Sequence, residues 1–353
     1  MKTLGFAVVE PGKPLAKVEH QLPDPGPGQA VVRVAGCGLC HTDISFASGA
    51  VKPRHPWPLV LGHEIAGIVE AAGDDFMRLK GRRVIVPAVM PCGECPQCKA
   101  GYENTCKKQF MPGNDGHGGF AQRLMVPARW LVELPGDLGG HDLWELSVIA
   151  DAVTTPYQTI ARANIKAGDV AFVVGAGGVG TYGVQIAKAF GATVFAMDID
   201  DGKLARMREV GAAGTFNVFN KDIKAVRSEV REAVVKAGLR DFGWKIFEMS
   251  GTAAGQELAF NLLPPGGTLG IVGFTIDSVK VRLSNLMALD ASCFGNWGCA
   301  PKHYAAAIAL VLEGKVRVKP FVRRYPLSRI NEIIEQAHHG KLAERAVFVP
   351  DEQ

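Results

Sequence analysis

The sequence predicts an α/β protein with two domains, a mostly β domain followed by a doubly wound parallel-sheet domain. Its 353 residues are about twice the length of a common single domain. Short Val-rich runs broken by Gly and Pro dominate the first third of the chain, and such runs are typical of strands. Farther along, apolar strands alternate with helical stretches, which is the pattern of a parallel sheet.

The composition is that of an ordinary globular protein. The chain is 47% hydrophobic and 21% charged, which allows a sizeable core and excludes a disordered chain. The net charge of +4 comes without the Lys and Arg runs that follow a phosphate backbone, so we expect no nucleic-acid partner. The apolar stretch Leu4–Val9 is too short for a signal peptide, and no run approaches the ~20 apolar residues of a membrane helix. We therefore expect a cytoplasmic protein with no membrane partner.

The β domain is predicted between Leu4 and Pro135. Its clearest strands are Ala30–Val34, Ile65–Ala71, Arg83–Pro87 and Leu124–Val126. No helical period separates these strands, so we expect an all-β domain whose long loops carry the chemistry.

The parallel-sheet domain is predicted to follow a helical region over Asp142–Ala163. Its alternating elements are predicted at Val170–Val174, Val179–Phe190, Thr193–Asp198, Gly202–Val210, Trp244–Met249 and Thr268–Phe274. The alternation ends near Gly295. A helix over Pro301–Gly314, an extended segment over Val316–Pro326, a helix over Leu327–His339 and a strand over Ala346–Pro350 follow. We expect domains over 1–152 and 153–296, with 297–353 packing back onto the first.

Four cysteines lie close together in one segment of the β domain. They are Cys92, Cys95, Cys98 and Cys106, with Pro and Gly interleaved. Four thiolates on one loop match a closed tetrahedral zinc site that has no position for water. Disulfides are disfavoured without an export signal, and an iron–sulfur cluster is the stronger alternative. The spacing predicts a structural zinc.

Three further candidate metal ligands lie on separate motifs, Cys40 in GCGLCHTD, His63 in GHE and Asp151 in IADAVTTPY. Each alone is weak, because a lone Cys or His is more often a packed core residue. Together, a thiolate, an imidazole and a carboxylate would balance a +2 ion and leave its fourth position open, as in a catalytic zinc site. Such a zinc can bind an alcohol oxygen and lower its pKa. The sequence therefore predicts a second, catalytic zinc.

A glycine-rich loop lies between the strand that ends at Val174 and a helix that runs to about Phe190. Its residues are Gly175, Gly177, Gly178, Val179 and Gly180. Backbone there can approach a pyrophosphate, whose charge the helix N-terminus favours. The next strand ends in Asp198, where a carboxylate accepts hydrogen bonds from both ribose hydroxyls and repels a 2′-phosphate. The sequence therefore predicts a dinucleotide site that prefers NAD to NADP. The alternative is a glycine-rich turn without a cofactor, in which Asp198 only caps a helix.

In this order, GCGLCHTD, LGHEIAG, the four-cysteine loop and VVGAGGVG resemble the zinc-containing medium-chain alcohol dehydrogenases, from near residue 4 to near residue 350. The resemblance implies a GroES-like catalytic domain, a Rossmann coenzyme domain, and oxidation of an alcohol by NAD with one catalytic and one structural zinc per chain. It also implies a homodimer or homotetramer. Most of that family has a cysteine as third catalytic ligand, and Asp151 at this position resembles the secondary-alcohol branch.

The resemblance also implies roles for residues around the catalytic zinc. Glu64 matches a glutamate that lies behind the metal and can exchange onto it, and Asp43 matches the carboxylate that orients the ring of His63. Thr42 matches the hydroxyl that takes the proton of the alcohol. Ser45 stands where a histidine often ends the proton relay, so the outlet to solvent departs from the family pattern.

Three further residues match cofactor positions of the family. His41 matches a basic residue that contacts the pyrophosphate, the alternative being a solvent-exposed histidine. Lys203 matches a lysine beside the adenosine ribose. Arg345, just before the last strand, matches a position that can reach the pyrophosphate.

The segment between Asp43 and Gly62 is expected to line the substrate entrance, with Trp57 as a wall of the pocket. Lys52, Arg54 and His55 put positive charge near this entrance, which is either a simple solvated surface or a site for an anionic substrate tail.

At the level of the whole chain, the sequence resembles the branch of the family that oxidises a ring secondary alcohol on a CoA thioester in anaerobic aromatic degradation. The run MPGNDGHGGFA and Asp151 contribute to this resemblance. Three alternatives stay open, a simple secondary alcohol dehydrogenase, a conjugate (1,4) reductase of an enone, and a zinc- and NAD-binding protein without turnover. The missing relay histidine favours the second of these.

Overall fold

The computed structural model describes residues 1–351, in which the chain divides into two compact units. The first unit contains Met1–Thr154, Gly298–Glu313 and the chain from Val318 onward, and the second contains Thr155–Trp297 and Gly314–Arg317. Each unit encloses its own cluster of buried apolar side chains.

The described residues form sixteen strands, ten α-helices and seven short 3-10 helices. The strands are β1 (Lys2–Val8), β2 (Ala16–Gln21), β3 (Gln29–Gly38), β4 (Leu59–Val60), β5 (Glu64–Ala72), β6 (Arg83–Val86), β7 (Arg123–Pro127), β8 (Val132–Glu133), β9 (Val170–Val174), β10 (Thr193–Asp198), β11 (Gly214–Asn217), β12 (Lys245–Glu248), β13 (Thr268–Ile271), β14 (Ser292–Gly295), β15 (Val322–Pro326) and β16 (Arg345–Val349). The α-helices are α1 (His41–Ser48), α2 (Pro96–Lys99), α3 (Thr154–Arg162), α4 (Gly180–Ala189), α5 (Asp201–Glu209), α6 (Ile223–Lys236), α7 (Ala253–Asn261), α8 (Ser284–Leu289), α9 (Tyr304–Leu312) and α10 (Ile330–His338). The 3-10 helices are Asp74–Leu79, Glu103–Thr105, Ala128–Trp130, Glu145–Ala150, Pro301–His303, Lys319–Phe321 and Leu327–Arg329.

The first unit is built around β3, whose apolar residues are almost all buried. β3 pairs antiparallel with β5, β7 and β16 in a seven-stranded sheet of order β15-β16-β3-β5-β6-β8, with β7 attached to β3. A smaller sheet has the order β2-β1-β4. Because β16 lies beside β3, the C-terminal segment completes the sheet that the N-terminal segment begins. β3 ends at Gly38, two residues before Cys40, and β5 begins at Glu64, directly after His63.

The second unit contains one parallel sheet of order β11-β10-β9-β12-β13-β14. Counted from β9, this is the order 3-2-1-4-5-6 of a doubly wound Rossmann sheet, and the order reverses between β9 and β12. The five residues of β9 are wholly buried, as expected for a central parallel strand of Val, Ala and Phe. Ligands of such sheets bind at the carboxyl ends of the strands beside the reversal.

The expectation of an all-β first domain is wrong at α1, which replaces a predicted loop. The carboxylate of Asp43, in the first turn, accepts a hydrogen bond from the N–H of Cys40 at 2.9 Å, and this satisfies a backbone donor ahead of the helix. Gly49 ends the helix with φ of +81°, a conformation that favours glycine. An acidic third residue and a closing glycine were therefore visible in the sequence as helix signals.

The segment predicted as extended over Val316–Pro326 is a strand only from Val322 onward. Lys319–Phe321 forms a 3-10 turn. Pro320 lies in its first positions, where the missing N–H of proline costs no hydrogen bond. Among the helices of residues 1–351, none combines the length and the apolarity that crossing a bilayer requires.

Candidate metal and cofactor sites

The four cysteine thiols of the 92–106 loop converge on one point. The Sγ atom of Cys92 lies 3.9 Å from that of Cys98 and 3.5 Å from that of Cys106. The Sγ atom of Cys95 lies 3.5 Å from Cys98 and 3.7 Å from Cys106. An ion ~2.3 Å from each of four tetrahedral thiolates would hold them about 3.8 Å apart, whereas a disulfide needs ~2.05 Å. The loop therefore fits a single zinc ion, and a larger iron–sulfur cluster would need more widely separated thiols.

The backbone favours the ionised form of Cys92, whereas burial raises the pKa of Cys98 to about 12. Hydrogen bonds from the backbone of Glu94 and Cys95 lower the pKa of Cys92 to about 6. The start of the loop is held by Trp130, whose indole N–H donates to the carbonyl of Pro91 at 2.6 Å, and by Arg129, which donates to the carbonyl of Cys92 at 3.0 Å. The loop is thus held in place while it presents thiolates to a cation.

The second cluster gathers Cys40, His63, Glu64 and Asp151 from distant parts of the chain, with one ligand atom of each within 4.8 Å of the others. The Cys40 Sγ atom lies 3.9 Å from Asp151 Oδ2, and His63 Nε2 lies 3.6 Å from the same oxygen. His63 and Glu64 are almost completely buried. One thiol, one imidazole and two carboxylates in a single cluster are a donor set that fits a divalent metal.

Asp43 ties the ligand-bearing segments to one another from its buried position at 0% exposure. Its Oδ2 accepts the N–H of Cys40, and its Oδ1 accepts the N–H of Gly62 at 3.0 Å. Nδ1 of His63 lies 3.2 Å from the same Oδ1. Burial lowers the pKa of His63, but Asp43 and Asp151 outweigh it and the pKa is raised well above its ordinary value. A bound metal would displace this proton, so metal binding should weaken in acid.

Glu64 lies behind the cluster and pairs with Arg345. The Nε of Arg345 donates to Glu64 Oε2 at 2.8 Å, and a second guanidinium N–H donates to Oε1. A Cβ at Gly38 would lie 2.1 Å from Glu64 Oε2, so only glycine leaves room for this carboxylate. Burial raises the pKa of Glu64, although Arg345 opposes the rise. This carboxylate of the cluster is therefore neutralised from behind by a fixed cation.

The predicted proton relay begins at the metal cluster, where the Oγ1 atom of Thr42 lies 3.7 Å from Cys40 Sγ. Ser45 is one turn farther along α1, and its hydroxyl donates to the carbonyl of His41 at 3.0 Å. His41 is exposed at the start of α1. The Ser45 hydroxyl is thus engaged with backbone, and its part in a relay stays a prediction.

The glycine loop follows β9 at the reversal of strand order. Gly175 has φ of +96°, and a Cβ there would lie 2.6 Å from the backbone of Ser250. A Cβ at Gly180 would lie 1.8 Å from the carbonyl oxygen of Gly175. A Cβ at Gly177 would meet nothing within 4 Å, so packing does not require this glycine. Open space beside a bare backbone fits the approach of a pyrophosphate.

Asp198 ends β10 with its carboxylate directed at neighbouring backbone. Oδ2 accepts the N–H of Ala176 at 2.7 Å, and Oδ1 accepts the N–H groups of Ile199 and Asp200 at 2.8 and 3.1 Å. The carboxylate is thereby held next to the glycine loop. Lys203 lies in the first turn of α5, where its N–H donates to the capping Asp200. Both residues lie near the predicted ribose position, and their contacts with a cofactor stay predictions.

Comparisons with known proteins agree with both sites. A family model described as the alcohol dehydrogenase GroES-like domain matches residues 26–136, and one described as zinc-binding dehydrogenase matches residues 178–313. An alcohol dehydrogenase of Geobacillus stearothermophilus is 31% identical over 98% of this chain and 99% of its own length. This chain belongs to the zinc-containing medium-chain alcohol dehydrogenase family.

Two further matches extend the comparison. The L-galactonate-5-dehydrogenase of Escherichia coli is 29% identical over 95% of this dehydrogenase and 96% of its own length. The cobalt- and zinc-bound thermostable alcohol dehydrogenase of Pyrobaculum aerophilum has a TM-score of 0.85 at 27% identity, covering 99% of this chain and 100% of that one.

Family membership confirms the predicted GroES-like and Rossmann fold of this dehydrogenase. It is an NAD-dependent zinc oxidoreductase that acts on a CH–OH group of a small molecule. The four-cysteine loop fits the structural zinc, and the Cys40, His63, Glu64 and Asp151 cluster fits the catalytic zinc.

The structure places Arg345 differently from the sequence expectation. Its guanidinium forms the pair with Glu64, where it is almost buried, and its predicted contact with the pyrophosphate stays a prediction. Sequence reasoning missed Tyr304, whose buried hydroxyl accepts the N–H of Ala88 at 3.1 Å and donates to the carbonyl of Ala150, next to Asp151. A tyrosine at the start of the apolar helix α9 gives no sequence signal for this bond.

Proposed function

We propose that this dehydrogenase oxidises the ring secondary alcohol of 6-hydroxycyclohex-1-ene-1-carbonyl-CoA to the 6-oxo product, with NAD as the hydride acceptor, in anaerobic aromatic degradation. The observation that carries the proposal is the cluster of Cys40, His63, Glu64 and Asp151, in which an aspartate takes the place of the usual third cysteine. The resemblance of the whole chain to the CoA-ester branch of the family supports the choice of substrate.

The reaction removes one hydride and one proton from the alcohol. NAD, when bound, would accept the hydride and become NADH as the ketone forms, and the hydroxyl of Thr42 would take the proton and pass it to solvent. Zinc, when bound, supplies Lewis acidity that makes the alcohol proton easier to remove. Asp43 fixes Cys40 and Gly62 by hydrogen bonds, so the ligand-bearing segments keep their positions during turnover.

The charge at the expected substrate entrance supports an anionic substrate, though less strongly than the sequence suggested. Lys52 and Arg54 are both exposed. Arg54 forms an ion pair with Asp115, whose carboxylate lies 3.2 Å from the guanidinium. His55 has its Nδ1 atom 2.6 Å from the carbonyl of Pro56. Lys52 is therefore the strongest candidate for contact with a CoA phosphate.

The double variant Lys52→Ala/Arg54→Ala tests the CoA-ester substrate. Loss of two exposed phosphate contacts worth ~0.5 kcal/mol each would raise KM for the CoA ester about fivefold, with kcat nearly unchanged. The effect should shrink at high salt, because exposed charges are screened. The variant Lys224→Ala/Arg227→Ala removes the same charge from exposed positions on α6 and is the matched control. Equal KM values in both variants would remove the CoA ester from the proposal and leave the dehydrogenase class intact.

Two other activities are alternatives. A simple secondary alcohol dehydrogenase is favoured by the names of the relatives, alcohol dehydrogenase and L-galactonate-5-dehydrogenase. A conjugate (1,4) reductase of an enone is favoured by Ser45, whose hydroxyl donates to backbone where a relay histidine is expected. Product analysis separates them, because only the reductase consumes NADH to saturate a carbon–carbon double bond.

The expected homodimer or homotetramer is supported by the edge of the parallel sheet. β14 is the terminal strand and is largely exposed, and three large apolar side chains of the segment between β13 and β14 are also exposed, at Ile276, Leu283 and Met287. A row of unpaired backbone groups beside an exposed apolar surface is a place where two sheets can join. The cytoplasmic location also stays a prediction.

A further inference from the structure

Glu248 is a buried carboxylate at the end of β12 that the dehydrogenase reaction does not use. It is 0% exposed. Its Oε1 atom accepts three hydrogen bonds, from the N–H of Ser250 at 2.7 Å, the hydroxyl of Ser250 at 2.5 Å and the N–H of Gly251 at 3.1 Å. Its Oε2 atom is buried next to the backbone of Gly273. Burial raises the pKa of this carboxyl despite the hydrogen bonds from Ser250 and from the backbone of Gly251 and Gly273. A carboxylate in such a position needs an explanation, because its desolvation is costly.

The turn that Glu248 holds is packed against two neighbouring loops. On one side, a Cβ at Gly175 would lie 2.6 Å from the Ser250 backbone, so the glycine loop and this turn are in close contact. On the other side, a Cβ at Gly273 would lie 2.3 Å from Gly251 N and 2.7 Å from Glu248 Oε2. The backbone carbonyl of Glu248 also accepts the N–H groups of Val272 and Gly273. One residue therefore joins the loops that follow β9, β12 and β13.

The position of these loops in the sheet identifies which half of the cofactor they meet. A doubly wound sheet binds the two nucleotides of NAD on opposite sides of its central strand. Asp198, at the end of β10, lies on the side expected to hold the adenosine ribose. β12 and β13 lie on the other side of β9. The turn after β12 and the loop after β13 thus belong to the nicotinamide half.

We propose that Glu248 is a positioning residue for the nicotinamide half of NAD. Its carboxylate fixes the Ser250–Gly251 turn against Gly175 and Gly273, and this fixes the backbone on which the nicotinamide nucleotide rests. The inference depends on the dinucleotide site described at the glycine loop, and it goes beyond the residues assigned to the reaction. Glu248 is not expected to touch the cofactor, because its Oε2 atom is enclosed by protein.

Binding of NADH and of ADP to the full-length protein tests the proposal, because ADP lacks both the nicotinamide ring and its ribose. In Glu248→Ala the three hydrogen bonds to Oε1 are lost, so Kd for NADH should rise about tenfold while Kd for ADP changes less than about twofold. Glu248→Gln keeps an acceptor at Oε1 and should restore most of the NADH affinity. Ser250→Ala removes the hydroxyl bond to Oε1, together with the contacts of that hydroxyl with the N–H and Oγ1 of Thr252, and should raise Kd for NADH about threefold. These two variants keep the test decisive if Glu248→Ala does not fold.

Asp222→Ala is the matched control. Asp222 caps α6 in the same unit by accepting the N–H of Lys224 at 2.8 Å, so its loss destabilises the start of this helix without touching the three loops. Both Kd values should stay at the wild-type level. Equal losses of NADH and ADP binding in the Glu248 variants, or no loss in any of them, would overturn the proposal. Failure of the wild-type protein to bind either ligand would instead overturn the dinucleotide site itself.

Discussion

At the scale of single residues, the metal cluster depends on side chains that are not ligands. Asp43 uses one oxygen for Cys40 and the other for Gly62, and lies 3.2 Å from the ring of His63. Arg345 neutralises Glu64 from behind. Short sequence motifs contain metal-ligating residue types, and this was enough to select Cys40, His63 and Asp151 as candidate ligands. The pair between Glu64 and Arg345 joins residues that are 281 positions apart, and no local pattern encodes it.

Thr42 and Ser45 should differ sharply when their hydroxyls are removed. Thr42→Val should lower the rate of hydride transfer by about a hundredfold or more, because the proton acceptor beside Cys40 is lost. Ser45→Ala should lower it less than about threefold, because that hydroxyl donates to the carbonyl of His41. Single-turnover formation of NADH measures both. Equal and small effects would show that Thr42 does not take the proton.

At the scale of elements, the sequence predicted most strands and missed the helix α1. Strands such as β3 and β9 have apolar runs that only a buried strand satisfies, so composition identifies them. α1 is short and has apolar residues on no regular face, and its signals lie at its ends, in Asp43 and Gly49. The four-cysteine loop could be predicted although it has no periodic apolar face, because the coordination of a metal ion sets the spacing of its cysteines.

Removal of one thiolate from the four-cysteine loop should release one metal ion and lower stability. Cys98→Ser should reduce the zinc content from about two ions per chain to about one, and should lower Tm, because a structural zinc contributes folding free energy. Elemental analysis and thermal unfolding on the same sample measure both quantities. Cys293→Ser, at an exposed cysteine of β14, is the control and should retain two ions. Two ions retained in Cys98→Ser would show that the loop is not a zinc site.

Three histidines from separate elements form a cluster that should make stability depend on pH. The ring of His117 lies 4.8 Å from that of His20 and 5.2 Å from that of His55, and its Nδ1 atom accepts the N–H of Val60. Burial lowers the pKa of His117 from 6.5 to about 4, and the two neighbouring imidazoles contribute. Arg54 and Asp115 form an ion pair in the adjoining segments.

Because the folded pKa of His117 is below the unfolded value, the unfolded chain binds more protons. This part of the stability is present above about pH 6.5 and is lost as the pH falls towards about 4. His117→Asn keeps an acceptor for the N–H of Val60, so its Tm should fall less than that of the wild type between about pH 7 and pH 5. His339→Asn alters an exposed histidine and should follow the wild type. Parallel Tm profiles for all three proteins would contradict the assignment of the effect to His117.

At the scale of the whole molecule, the chain interleaves two units with different tasks. The first unit carries both metal clusters, and the second carries the glycine loop and Asp198. The order of the motifs along the chain was sufficient to predict a metal-binding unit followed by a dinucleotide-binding unit. Each motif is typical of one kind of sheet or loop, so it indicates the unit in which it lies. The return of the C-terminal strands to β3 depends on long-range pairing, which the local pattern of β16 suggests only weakly.

The most direct test of the proposed function is a mixture of the purified protein with NAD and a panel of secondary alcohols that includes cyclic hydroxyacyl-CoA thioesters. NADH formation is followed by its near-ultraviolet absorbance, and bound zinc is quantified on the same sample. We expect NADH formation with the CoA ester at about two zinc ions per chain. Activity only on simple alcohols would discard the CoA ester, and no NADH formation with any alcohol would contradict the dehydrogenase reaction itself.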